Sequence, residues 1–200
     1  FQKWHHFWCR PCPPHALAIV RIGFGVFGTM YALTYLPYVR VLFSSEGLVL
    51  PLYLDPPHPQ VAWLLAIMFM GCLTLFTIGL WFRAAAITLL VLSIYYWQLQ
   101  LHMFPTSYNR LLLMTLVILT CSGADRTLSL RSYLRHGSWR AWEPICILPQ
   151  RLIAVQVTIT YLGVGLQKFV LPAWQSGEIL SYSFVKMWAT PLAFKTAQLN

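Results

Sequence analysis

Apolar residues run in five long stretches along the chain, parted by short polar, aromatic or proline-marked breaks. A bilayer core of about 30 Å needs about 20 apolar residues in helical form. The first stretch predicts a helix from about His15 to Leu36, stopping before Pro37 because the residue preceding a proline disfavours α geometry. Gly23, Gly25 and Gly28 thin one side of it, which lets a neighbouring backbone come close. The second stretch covers about Val61–Trp81 and the third about Ala84–Leu101. Only Phe82 and Arg83 part them, so a tight antiparallel hairpin is expected. The fourth, Arg110–Ser122, is short for a span unless it starts near Met103 with Pro105 in its first turn. The fifth runs about Arg151–Val170, and a shallow amphipathic segment, Gly177–Thr190, is expected to stop at Pro191.

The breaks differ in kind. Residues 37–60 are proline-rich with apolar pieces too short to span, which predicts an interfacial or partly buried loop. Its Glu46 and Asp55 read as solvated loop carboxylates, with a pairing of Glu46 to Lys168 as the sharper alternative. Residues 123–150 form the longest polar connection, and Arg131-Ser-Tyr-Leu-Arg135 fits one turn of a surface helix facing anionic lipid. Residues 1–14 are aromatic and basic, with no apolar core before a small-residue cleavage site, so the first apolar helix is expected to act as its own insertion signal. The pattern predicts an all-α polytopic membrane bundle of about five spans, with a C-terminal shallow helix. Residues 1–14 form an interfacial segment ahead of a single helical domain over 15–200.

Composition agrees: 58% of residues are hydrophobic and 10% charged, where a soluble domain carries about a quarter charged. A net charge of +9 would suggest nucleic acid in a soluble protein. Here the arginines flank apolar runs, so topology and anionic lipid account for them, and no nucleic-acid partner is expected. With five helices, Lys3, Arg10, Arg83, Arg126, Arg131, Arg135, Arg140 and Arg151 fall on one side, and chiefly Arg40 and Arg110 on the other. The positive-inside bias then predicts a cytoplasmic N-terminus and 123–150 loop. Arg21, in the first two turns of its helix, is expected to snorkel to the near surface, with an internal ion pair as the alternative.

Three places carry candidate chemistry. Cys9, Cys12, His5, His6 and His15 have metal-ligand chemistry and a C-x-x-C spacing. The same stretch fits a headgroup-level anchor, or a thioredoxin-type redox motif that lacks the βαβ context it needs. The remaining cysteines, Cys72, Cys121 and Cys146, imply no disulfide framework. His102 and His136 leave metal, haem and pigment binding open. Tyr95-Tyr96-Trp97-Gln-Leu-Gln100-Leu-His102 mixes rings with amides, as an interfacial aromatic belt does. Lys168 is a lone cation near the end of an apolar helix. It either snorkels to headgroups or marks a site, since a cation at the bilayer centre costs about 2.5–3.5 kcal/mol on insertion scales. From Arg151 the rise to Lys168 is on the order of 25 Å, which predicts a place near the opposite interface.

Tyr161-Leu-Gly-Val-Gly-Leu-Gln-Lys168 followed by Trp174-Gln-Ser-Gly177 resembles a signature of the vitamin K-dependent gamma-carboxylase superfamily. Its bacterial members are the horizontally transferred transmembrane (HTTM) domain proteins. Ala18-Ile-Val-Arg21-Ile-Gly23-Phe-Gly25 is similar to the family's opening helix, and Phe43-Ser-Ser-Glu-Gly47-Leu to the glycine segment after it. Gly79-Leu-Trp-Phe-Arg83 and Asp125-Arg126-Thr-Leu-Ser129-Leu resemble two family loops. The resemblance implies Lys168 as a general base toward a quinone. It also implies Tyr161, Trp174, Tyr96 and Trp97 as residues near a bound isoprenoid quinone. The chain departs from the animal carboxylase in having Thr106-Ser-Tyr-Asn109 for an Asn-Asn-His cluster, and Gln167 for a second lysine. The resemblance stops before the carboxylase's large lumenal domain, so full peptide carboxylation is not expected of these residues.

Two functions follow as expectations. One is an accessory subunit packed against other integral membrane subunits of a respiratory or photosynthetic complex. The other is a quinone- or lipid-handling enzyme that uses Lys168 as base. A transporter fits less well, because neither an inverted repeat nor a broken-helix pair is visible.

Overall fold

The computed structural model describes residues 2–47, 54–99, 107–182 and 190. Their contacts gather into two units, residues 1–154 and 155–200. In the first unit a short helix α1 (Gln2–Cys9) leads through strand β1 (Pro11–Cys12) into α2 (His15–Tyr35). A 3-10 turn over Leu36–Tyr38 and α3 (Val39–Phe43) continue it, so the helical run reaches Phe43 as a 29-residue candidate span. Pro37 therefore ends the α-helix where expected but does not end the helical path. Leu36 stays in right-handed helical geometry, and the proline sits at the start of the 3-10 turn, where its missing N–H costs nothing.

The expected hairpin follows as α4 (Pro59–Ile78) and α5 (Phe82–Leu99), and then α6 (Ser107–Thr120). Met103 and Pro105, the alternative start expected for α6, lie outside the described residues, as does most of the stretch beyond Tyr182. The long connection carries α7 (Leu130–His136) and strand β2 (Ile145–Cys146) before α8 (Leu148–Val170). Two short helices, α9 (Pro172–Gln175) and α10 (Glu178–Tyr182), come after it. Among the described residues, four helical runs are long and apolar enough to cross a membrane: His15–Phe43, Pro59–Ile78, Phe82–Leu99 and Leu148–Val170. A shorter apolar helix covers Asn109–Thr120.

In the first unit α4 lies between α2 and α5, and α6 packs on α5. Leu17, Leu73, Phe76, Phe82, Leu89 and Leu116 form the larger core. Val39, Phe43, Ala62, Ala66 and Leu99 form a second core at the other end of α4. Two of the three glycines of α2 serve as expected. A Cβ on Gly25 would lie 2.0 Å from the Thr77 hydroxyl, and one on Gly28 would lie 3.0 Å from Leu73. Gly23 faces open space.

Arg21 overturns its expectation. Instead of snorkelling to the surface it is fully buried, donating to the carbonyls of Ala124 at 2.8 Å and Leu128 at 2.5 Å. Helix termini and turns leave carbonyls without partners, and a guanidinium fork satisfies two at once. Gly79 ends α4 with φ +72°, and a Cβ there would fall 2.7 Å from an Arg21 nitrogen and 2.5 Å from the Ser129 side chain. Ser129 caps α7 by accepting from the Ser132 N–H at 3.0 Å, and its hydroxyl donates to the Asp125 carbonyl. Asp125 is itself buried and paired with Arg131. Elsewhere Arg40 Nε donates to the Glu46 carboxylate at 2.8 Å in an exposed pair.

Replacing Arg21 with Met strands the buried Ala124 carbonyl, at about 1–3 kcal/mol, and removes the donor to the part-buried Leu128 carbonyl. Thermal unfolding in detergent should show a large loss for Arg21→Met and a small one for Arg40→Gln, because an exposed pair contributes about 0–1 kcal/mol. Equal effects would refute the buried anchor. Gly79→Ala should also lower the melting temperature, as a Cβ meets both a left-handed backbone and the Arg21 side chain.

Candidate functional site

Tyr96 and Trp97, on the last turns of α5, line a cavity of about 160 Å³ among α2, α4, α5 and α6. Phe24, Phe69 and several leucines make most of its wall, and Tyr31, Ser93 and Asn109 add polar groups. By comparison, a dry engineered cavity of about 150 Å³ accepts benzene, so the space is ring-sized. Tyr96 is held by edge-on contacts with Phe43 at 4.7 Å and Phe69 at 5.7 Å. Its hydroxyl is buried and, among the described residues, has no hydrogen-bond partner. An orphan hydroxyl inside an apolar wall is costly, and a ligand carbonyl or hydroxyl would relieve it. A second cavity of about 120 Å³, toward α3, shares Tyr31, Phe69 and Tyr96. Tyr31 and Asn109 were not foreseen as lining residues. The only cue was the four-residue spacing of Tyr31 and Tyr35, whose hydroxyls bond at 3.1 Å.

Lys168 lies in the last turn of α8, exposed. Leu171 leaves helical geometry, Pro172 opens α9, and the chain turns so that Trp174 presents its ring 4.2 Å from the Lys168 ammonium nitrogen. This is a cation–π contact, in which the negative ring face attracts the positive head. Gln175 Nε2 donates to the Phe169 carbonyl at 2.6 Å and holds the turn closed. Gly177 follows with φ +76°, a backbone that glycine adopts without strain. The spacing of lysine, tryptophan and glycine is thus the spacing of one local fold. Tyr161 is seven residues before Lys168, on the same face but about 10 Å along the axis, and it is 72% exposed. Lys168 and Trp174 meet, and Tyr161 stands apart from them along the helix.

The N-terminal cysteines find a partner that the C-x-x-C spacing did not reveal. β1 pairs antiparallel with β2, setting Pro11 opposite Cys146 and Cys12 opposite Ile145. Cys146 Sγ lies 3.5 Å from the Trp8 carbonyl, next to Cys9 in the chain. All five cysteines are free. Among the described residues no three His, Cys, Asp or Glu side chains gather as a metal site. The His5 side chain lies outside the described residues, and so does His102. Trp4 is 69% exposed, while Arg151 stacks its guanidinium 3.4 Å over Phe7, so α1 is fastened to the start of α8. His136 is 3.8 Å from Glu143.

Burial, then the neighbouring Cys146 thiol, pushes Cys9 above its usual value of 9.0, and burial does the same to Cys12. Because the thiolate is the nucleophile, both should alkylate slowly near neutral pH. In native protein their iodoacetamide rates, read by peptide mass spectrometry, should still climb above pH 9 after those of the SDS-unfolded chain have levelled off. Coincident native and unfolded profiles would show that the thiols are not shielded.

No curated protein and no solved structure matches the chain. The sequence model of the HTTM domain matches residues 9–199. That span takes in the buried Arg21 junction, the aromatic cavity and the Lys168–Trp174 turn alike. With its apolar spans, this chain is an integral membrane protein and belongs to the HTTM domain family.

Proposed function

We propose that the chain is an accessory subunit that packs against other integral membrane subunits of a larger complex. The observation that carries this reading is the make-up of α8, an apolar span that also carries Gly163, Gly165, Gln167 and Lys168. Polar side chains and small residues on a membrane helix favour a second helix over acyl chains, because they permit close approach and interhelical hydrogen bonds. By the positive-inside bias, the N-terminus and the 123–150 loop face the cytoplasm and Lys168 lies toward the opposite face. The pairing of β1 with β2 supports placing those first two on one side.

The aromatic cavity favours a second reading, in which an isoprenoid quinone or lipid ring is bound and Lys168 serves as base. General-base work needs a neutral amine, which enzymes obtain by burial. Lys168 is exposed and lies on a tryptophan face, so the accessory reading is preferred.

Mass spectrometry of protein solubilised in mild detergent separates the two. Expected is co-purification with defined membrane chains at fixed stoichiometry, undiminished in Lys168→Ala. Isolation alone with a stoichiometric quinone, and loss of turnover in Lys168→Ala with folding intact, would sink the accessory reading.

A further inference from the structure

A third cavity, polar and of about 180 Å³, lies at the end of the α4–α5 hairpin and is lined by Arg83, Arg126, Arg131, Arg135 and His136 among others. Two carboxylates share it, and both are already engaged. Asp125 is paired with Arg131, while Glu143 lies 3.8 Å from both Arg126 and His136. Arg126 also donates to the Pro144 carbonyl at 2.9 Å, which fixes its fork against the loop. Arg83 and Arg135 have no carboxylate partner among the described residues, so two guanidiniums remain in excess around one cavity. Like charges held this close repel, and an oxyanion entering between them removes the repulsion while using their planar donors.

The position of the cavity argues for the source of that oxyanion. Arg83 is the second residue of α5, immediately after the turn at which two spans end. Trp81 in that turn is 73% exposed, and Leu134, beside Arg135 on α7, is 69% exposed. Tyr133 stacks on Trp139 at 4.8 Å, both part-exposed. Bulky apolar and aromatic side chains around a basic cavity, level with the ends of spans, fit the headgroup layer rather than bulk water.

We propose that this cavity binds the phosphate oxyanion of an anionic lipid headgroup, with Arg83 and Arg135 as the forks that reach it and Arg126 and Arg131 holding the loop that presents them. The site is independent of the subunit reading, because a headgroup can be bound whether or not another chain covers α8. Occupancy also ties α5 to α7 through one shared anion.

Native mass spectrometry of the delipidated full chain, with phosphatidylglycerol or phosphatidylcholine added in mild detergent, tests this. Wild type should retain phosphatidylglycerol over phosphatidylcholine by about tenfold, since each basic residue near an anionic surface contributes severalfold. The variant Arg83→Gln/Arg135→Gln should lose most of that preference. Arg140→Gln, which removes a charge from the same loop outside the cavity, should keep it. Both mutated arginines are exposed and lack carboxylate partners, and an unchanged melting temperature confirms folding. Equal loss in Arg140→Gln, or full retention in the double variant, overturns the site. Inorganic phosphate at constant ionic strength supplies the other arm. If lipid retention persists, the headgroup is the ligand; displacement by phosphate at matched concentration overturns the lipid assignment.

Discussion

The buried guanidinium of Arg21 is the constraint on which the first unit depends. A permanent charge cannot be left inside a helical bundle without donors and acceptors in register, because desolvating it costs several kcal/mol. Here the acceptors come from the 124–128 loop, more than a hundred residues along the chain. The arginine therefore fixes where that loop must lie against α2. Gly79 must be glycine-like for the same reason, since the end of α4 passes too close to the guanidinium for any Cβ. From that point the rest is determined locally. The Asp125 carbonyl receives the Ser129 hydroxyl, Ser129 starts α7, and the Asp125 carboxylate holds Arg131.

That junction separates two chemical environments in the unit. At the hairpin end the side chains are ionic, with carbonyls and carboxylates consumed by arginines. Farther along the spans the polar groups are neutral: Tyr31, Ser93, Tyr96 and Asn109 in an otherwise apolar wall. The division follows from solvent. Full charges are tolerable where headgroups and loop carbonyls reach them, and hydroxyls or amides are the strongest polar groups an acyl-level cavity holds without counter-ions.

The helical architecture was legible because a bilayer imposes length and apolarity together. The α4–α5 hairpin, whose turn falls at Gly79–Trp81 rather than at the expected Phe82–Arg83, the stop of the α-helix before Pro37 and the turn of α7 each follow from local chemistry. What could not be read was any contact across long separation. Arg21 looked like a snorkelling residue because its depth in α2 is visible in sequence and its acceptors are backbone carbonyls, which carry no sequence mark. Cys146 pairs with the N-terminal segment through a two-residue ladder that no periodicity announces. Tyr96 and Trp97 were legible as an aromatic cluster, but the cavity they line needs Tyr31 and Asn109 from two other helices.

The motifs that carried the family resemblance divide by what they do. Arg21, Gly79 and the Asp125–Ser129 turn meet in one place and build the junction. Their presence speaks for inheritance of a fold. Lys168, Trp174 and Gly177 also form a structural unit, in which a proline-marked turn lays an indole over an ammonium, but that unit leaves the lysine head exposed. The ring face attracts the ammonium, and the Gln175 bond to the Phe169 carbonyl keeps the turn closed, so the spacing of lysine, tryptophan and glycine is accounted for by local geometry.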